Sequence, residues 1–134
     1  KKRSIAKLVP KMHEDPSPLL RKKFNITGKI RQAYVYVTAL GEYELYINGN
    51  RVGDHIFAPE WTSYFTRVQY QTYDVKPLIK EGDNVIGAIL GDGWYIGHLG
   101  PGGISHSLYG VNRQLLCQLV IEVEKDDSIQ KIII

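Results

Sequence analysis

Gln32-Ala33-Tyr34-Val35-Tyr36-Val37-Thr38-Ala39, followed after Gly41 by Glu42-Tyr43-Glu44-Leu45-Tyr46-Ile47 and closed by Asn48-Gly49, is the stretch that carries the strongest structural signal. In the first run Val35, Val37 and Ala39 alternate with Tyr34, Tyr36 and Thr38, so a strand there has one aliphatic face and one aromatic or polar face. In the second, Tyr43, Leu45 and Ile47 share a face opposite Glu42, Glu44 and Tyr46. Asn48-Gly49 supplies the positive backbone angles of a tight hairpin turn, and Arg51-Val52 begins the return strand. Working outward, short runs rich in Val, Ile, Tyr and Thr recur at 20–24, 68–73, 85–90, 115–123 and 129–134, separated by Gly, Asn and Pro. About eight short strands at this spacing predict an all-β, antiparallel, jelly-roll-like sandwich. One short helical turn is expected from Asp74 to Gly82, with Asp74 as its cap, Pro77 in its first turn and Gly82 at its end.

Composition agrees with one domain. The chain has 134 residues, 43% apolar and 23% charged, enough to bury a core without a disulfide or metal staple. Cys117 is the single cysteine, which rules out an intrachain disulfide and a Cys-type zinc site. No apolar run approaches the roughly 18–20 residues of a membrane span, so no membrane partner is expected.

Charge is unevenly distributed. The net +3 divides into ten basic and two acidic residues up to Arg31, against seven and twelve in the remainder. Residues 1–17, with Pro10 and Pro16, read as a basic extended leader, and 18–134 as the β-sandwich domain. The leader lacks the aromatic motifs, helix-turn-helix pattern and zinc-ligand spacing of nucleic-acid readers, so no nucleic-acid partner is expected. An initial Lys1 and a terminal Ile132-Ile133-Ile134 suggest a piece of a longer polypeptide.

Catalytic patterns are weak. Glu42 and Glu44 lie two apart on one strand face and could flank a glycosidic bond, but nothing in the local sequence would raise the pKa of either. His98, His106 and Asp92 have a spacing that no helix or turn would bring together as metal ligands. Gly91-Asp92-Gly93 fits neither common phosphate-loop pattern, and Asn25-Ile26-Thr27 fits a glycosylation sequon. No serine sits in a nucleophile elbow, and Cys117 falls in an apolar strand pattern that suits a buried thiol. No catalytic residue is assigned.

The region 91–110 stands apart, with seven of the 13 glycines and little strand pattern. Trp94, Tyr95 and Tyr109 in it, and Trp61, Tyr64 and Phe65 after Pro59-Glu60, offer aromatic faces of the kind that meet sugar C–H patches, with Asp92 to take hydroxyls. Trp61, Asp92, Trp94, Tyr95 and Tyr109 are therefore the candidate substrate-binding residues. The competing reading is that these rings pack a core or a neighbouring domain. Calcium, held by Asp92 and loop carbonyls, is the one candidate cofactor, and none is required.

Several segments together resemble a known family: 18–24 (Pro-Leu-Leu-Arg-Lys-Lys-Phe), 43–49 with Val52-Gly53-Asp54, Trp61-Thr-Ser-Tyr64, 70–75 (Tyr-Gln-Thr-Tyr-Asp-Val), and 90–95 (Leu-Gly-Asp-Gly-Trp-Tyr). The chain, from about Ser17 to Val123, is similar to the N-terminal β-sandwich domain of bacterial α-L-rhamnosidases of glycoside hydrolase family 78. The half carrying Tyr43–Gly49 and Asp74-Val-x-x-Leu-Ile-Lys-x-Gly-x-Asn84 is shared more loosely with galactose-binding-like sandwiches. The resemblance implies a non-catalytic accessory domain of a multidomain inverting hydrolase, partnered with a catalytic helical-barrel domain that holds the acid and base. In some relatives such a domain binds terminal rhamnose with the help of calcium, which makes a rhamnose-containing glycan a second expected partner. A purely structural interdomain sandwich without a ligand site is the alternative.

Overall fold

The computed structural model describes residues 15–100 and 105–134. Most of the expected leader, residues 1–14, and positions 101–104 of the glycine-rich region lie outside the described residues. Among the described residues ten strands are present: β1 (Leu19–Ile26), β2 (Lys29–Leu40), β3 (Glu42–Ile47), β4 (Asn50–Arg51), β5 (Gln71–Asp74), β6 (Gly82–Gly91), β7 (His98–Leu99), β8 (Ser105–His106), β9 (Gln114–Lys125) and β10 (Ser128–Ile133). Two antiparallel sheets, β1-β6-β3-β4 and β10-β9-β2-β5, form the sandwich, and β7-β8 is a separate ribbon. The eight strands of the sandwich correspond to the eight read from the sequence.

The alternation in β2 and β3 places the core. Val35, Val37 and Ala39 of β2 and Tyr43, Leu45 and Ile47 of β3 are buried, as are Ile86, Ala88 and Leu90 of β6 and Leu119, Ile121 and Val123 of β9. Tyr34 and Tyr36 stand on the outer face. These inward aliphatics make one continuous cluster between the sheets, the main favourable contribution to folding.

Three local differences from the sequence reading have physical causes. β2 begins at Lys29, three residues before the readable alternation, because a bulge between Ile30 and Gln32 shifts the register against β9 and breaks the period of two. β5 begins only at Gln71, since the ladder with β2 ends at Val37↔Gln71. Beyond it the Thr38 hydroxyl, in place of a backbone donor, donates to the Gln69 carbonyl. The turn after β5 is a 3₁₀ turn over Lys76–Leu78 with Pro77 in its first turn, and Asp74 Oδ1 accepts from the Lys76 amide at 3.0 Å. Gly82, expected to end that turn, instead opens β6 with φ +86°. A second helical turn, α1 (Gly93–Ile96), lies in the glycine-rich region; at four residues it is too short to give an amphipathic pattern in the sequence. No helix among the described residues is long and apolar enough to cross a membrane.

Candidate functional site

Two connections meet at the end of the sandwich where β3 begins and β6 ends. The first, residues 52–70, is fastened to β3 by the Tyr43 amide donating to the Ala58 carbonyl at 2.9 Å. Ala58 and Pro59 are buried, joined by a cis peptide, and Gln71 Nε2 donates to the Pro59 carbonyl. The second runs from Gly91 to Gly110. Gly93, at φ +51°, lies on Glu42 so closely that a Cβ would fall 2.3 Å from Glu42 Cγ. Here glycine is required twice over, by backbone angle and by space. α1 then buries Ile96, and the Ser107 amide donates to the Ile96 carbonyl at 2.7 Å, closing the loop behind the β7-β8 ribbon.

This arrangement gathers the candidate aromatics into one cluster. Trp61 and Trp94 stack with centroids 5.7 Å apart and planes 17° from parallel. Trp61 Nε1 donates to the Tyr109 hydroxyl at 3.2 Å. Tyr64 sets its edge against Tyr95 at 5.2 Å and Tyr109 at 4.9 Å, Phe65 leans on Tyr109, and Tyr95 and Tyr109 lie parallel at 6.4 Å. The rim faces solvent: Trp61 is 53% exposed, Trp94 38% and Phe65 74%. Tyr64, Tyr95 and Tyr109 form a partly buried floor. Thus Trp61, Trp94, Tyr95 and Tyr109, drawn from separate segments, share one surface.

Asp92 immediately precedes α1, which carries Trp94 and Tyr95, and its carboxylate has a partner. Arg113 Nε donates to Asp92 Oδ1 at 2.6 Å, with both side chains largely shielded. An arginine held this close neutralises the charge a cation would need. Among the described residues no three His, Cys, Asp or Glu side chains converge on a point.

Glu42 and Glu44 do not act as a pair. Glu44 Oε2 accepts from the Tyr46 hydroxyl at 2.7 Å, whereas Glu42 lies under Gly93. Burial raises the Glu42 carboxyl above its ordinary range, contrary to the expectation that nothing would perturb it. Burial also pushes Tyr64 up to about 12, assisted by the nearby negative charge of Glu42 and by Tyr109. His98 and His106, which the spacing gave no reason to bring together, are paired across the β7-β8 ribbon with ring centroids 4.6 Å apart. His106 Nδ1 lies 2.6 Å from the Ser107 hydroxyl. Arg113 is the participant outside the sequence candidates, and Glu42, read there only as half of a pair with Glu44, takes its place here under Gly93. Neither belongs to a motif, and both act only because distant segments fold over them.

Comparison with known proteins is decisive at this point. The family model of the α-L-rhamnosidase N-terminal domain matches residues 28–134. The chain belongs to that family. An α-L-rhamnosidase of Streptomyces avermitilis is 46% identical over 104 residues, covering 77% of this chain and 10% of the relative. One from Formosa agariphila is 38% identical over 114 residues, 85% of this chain and 12% of its own length. Among solved structures, the native α-L-rhamnosidase from Aspergillus terreus matches with a TM-score of 0.79 and 45% identity, over 87% of this chain and 13% of that one. The Streptomyces avermitilis α-L-rhamnosidase complexed with L-rhamnose matches with a TM-score of 0.78 and 40% identity, over 88% and 12%. The chain thus spans about a tenth of the relatives it matches. The all-β, antiparallel sandwich character expected from the resemblance holds for both sheets of the domain.

Proposed function

We propose that this domain serves as a non-catalytic accessory unit of an α-L-rhamnosidase, an enzyme that hydrolyses terminal α-L-rhamnose, and that it seats against the catalytic helical-barrel domain. The observation that carries this reading is the family match over most of the chain, combined with the small share of each relative that the chain spans. Its chemistry is consistent with that role, since Glu44 is engaged by Tyr46 and Glu42 is covered by the loop, so these two carboxylates do not face each other as acid and base.

The exposed Trp61–Trp94 pair further supports a rhamnose-containing glycan as the ligand of the aromatic cluster. Stacked indoles with open edges and outer faces suit the C–H-rich ring and methyl of a deoxy-sugar. A second reading is favoured by one feature: the cluster's polar atoms turn inward, with Trp61 Nε1 on Tyr109, the Tyr64 hydroxyl on the Glu60 carbonyl and Asp92 on Arg113. Rings already satisfied among themselves would also make a dry docking surface for a neighbouring domain.

Titration of the chain with L-rhamnose, followed by tryptophan fluorescence and calorimetry with and without calcium, separates the two. Sugar binding predicts a saturable signal that Trp61→Ala or Trp94→Ala reduces at least tenfold in affinity, about 1.4 kcal/mol. Calcium dependence of that signal would assign the cation a role despite Arg113. Absence of heat and spectral change up to about 10 mM sugar, weaker than millimolar recognition, would overturn the sugar reading and leave the docking reading in front. Enzyme-like rhamnosidase turnover by the isolated chain would overturn the accessory role itself.

A further inference from the structure

The β7-β8 ribbon carries a pair of groups that the aromatic cluster does not use. Its strands are antiparallel, with His98 opposite His106 and Leu99 opposite Ser105. Opposed residues of such a ladder stand on the same face, and successive residues on opposite faces. Leu99 is buried and anchors the ribbon, so the two histidines stand together on its other face, His98 exposed and His106 half-buried. Their ring centroids are 4.6 Å apart and the ring planes are inclined at 59°.

Both the distance and the inclination suit a shared ligand. The lone pair of a ring nitrogen lies in the plane of its ring, so parallel rings cannot aim two lone pairs at one point, whereas inclined rings can. Imidazole is a favoured ligand of late divalent transition ions, with zinc about 2.0–2.1 Å from nitrogen. His106 is also oriented. Its Nδ1 lies 2.6 Å from the Ser107 hydroxyl oxygen, and Ser107 Oγ donates in turn to the Ile96 carbonyl at 3.4 Å. With the hydroxyl proton turned to that carbonyl, the Ser107 oxygen accepts from Nδ1–H, and His106 keeps Nε2 as its basic nitrogen. A metal-ligating histidine ordinarily makes such a hydrogen bond through its other nitrogen, which fixes tautomer and ring orientation. Ser107 is held in place for it at φ +55°, its amide donating to the same Ile96 carbonyl at 2.7 Å.

We propose that His98 and His106 form a binding site for one divalent transition-metal ion, coordinated by one nitrogen of each ring and otherwise by water, and that the ion clips β7 to β8. Among the described residues no third His, Cys, Asp or Glu joins the pair, so the site follows the general order for imidazole ligands, copper(II) above nickel(II) and zinc(II). Calcium and magnesium, which take oxygen ligands, do not fit it. Both strands of the ribbon belong to the connection that carries Trp94, Tyr95 and Tyr109, so the clip restrains the segment on which those rings stand.

The test uses the full chain, buffered copper(II) and titration calorimetry. One ion per chain is expected, with two nitrogen ligands in the electron paramagnetic resonance spectrum. His98→Ala and His106→Ala should each weaken binding by about tenfold or more, since a single imidazole then remains. His55→Ala, on the 52–70 connection, should leave it unchanged. Ser107→Gly accepts the same backbone angle without the hydroxyl. It should weaken binding about tenfold yet keep the two-nitrogen spectrum, which a collapse of the ribbon would erase. With zinc(II) at about a hundred times its dissociation constant, hydrogen exchange in the β7-β8 ribbon should slow about a hundredfold, because opening then requires release of the ion. Unchanged affinity in both alanine variants, or a spectrum with a single nitrogen, would overturn the proposal and leave an adventitious ion only. Equal exchange with and without zinc(II) would overturn the clip. None of these readouts involves sugar, so failure here leaves the rhamnose titration unaffected, and the converse holds.

Discussion

Asn84 shows how much one side chain can hold. It is the single buried polar residue among those described, and all its polar capacity is used. Its Nδ2 donates to the carbonyls of Lys80 at 2.7 Å and Gly82 at 2.9 Å, and its Oδ1 accepts from the Lys80 amide and from Asn48 Nδ2. This explains physically why Asn84 closes the Asp74–Asn84 motif: it fastens the turn before β6 to the β3–β4 hairpin. Asn84→Ala is expected to destabilise the domain by about 2–4 kcal/mol, the summed cost of several lost hydrogen bonds with carbonyls left unsatisfied, measurable by urea unfolding. Asn84→Asp should be comparably damaging, because a carboxylate oxygen would face two carbonyls. Glu42 gives an opposite expectation. Its folded pKa lies above the ordinary 4.5, so its contribution to stability is present below that value and is lost as pH rises and the buried carboxyl ionises. Glu42→Gln should therefore raise the melting temperature at pH 7 and leave it nearly unchanged at pH 4.

Two hairpins make the element-level comparison. The β3–β4 turn uses Asn48 at φ 51° and Gly49 at φ 83°, both in the left-handed region, which is the type I′ geometry that matches strand twist. The β9–β10 turn uses Asp126 at φ 50° and Asp127 at φ 57°, the same geometry with two non-glycine residues of like charge. Asp127→Gly is expected to stabilise by about 0.5–1 kcal/mol, and Gly49→Ala to destabilise by about 1 kcal/mol, from the left-handed penalty alone. Paired thermal melts of the two variants check both signs. Asn48 does more than turn the chain. Its Nδ2 reaches the Leu78 carbonyl and Asn84 Oδ1, while its Oδ1 accepts from the Val85 amide. Because Asn48 and Asn84 share a bond, their alanine variants should be non-additive by about 0.5–3 kcal/mol in a double-mutant cycle.

For the molecule as a whole, the buried acids of the core and the site set an alkaline limit. Burial, with help from Tyr73, raises the Tyr43 hydroxyl far above the usual phenol range. Burial likewise takes Tyr64 to about 12 and the Cys117 thiol to about 11. An acid whose folded pKa is raised contributes stability below its unfolded value and loses it as pH climbs toward the folded one. From ordinary values of 9.0 for the thiol and 10.0 for the phenols, the denaturation midpoint should be flat through neutrality. It should then fall between about pH 9 and pH 12 as the unfolded chain releases protons that the folded chain retains. A midpoint unchanged at pH 11 would contradict the burial of these groups. The same molecule exposes its stacked tryptophans at one end of the sandwich.

By itself, the sequence determined the strands, because a period of two with β-branched and aromatic residues in Gln32–Ile47 leaves few other conformations, and Asn48-Gly49 encodes its turn in the residue types themselves. The motifs at 43–49, 61–64, 70–75 and 90–95 determined the family, and the five candidate binding residues were legible as residue types suited to sugar. Only the tertiary structure decided that Trp61 stacks on Trp94, that Arg113 neutralises Asp92, that His98 meets His106, and that Gly93 lies on Glu42. Each of these contacts joins segments with no periodic or spacing relation. What brings them together is the sheet register and the anchoring of two long connections to β3, and register is a property of paired strands that no single strand contains.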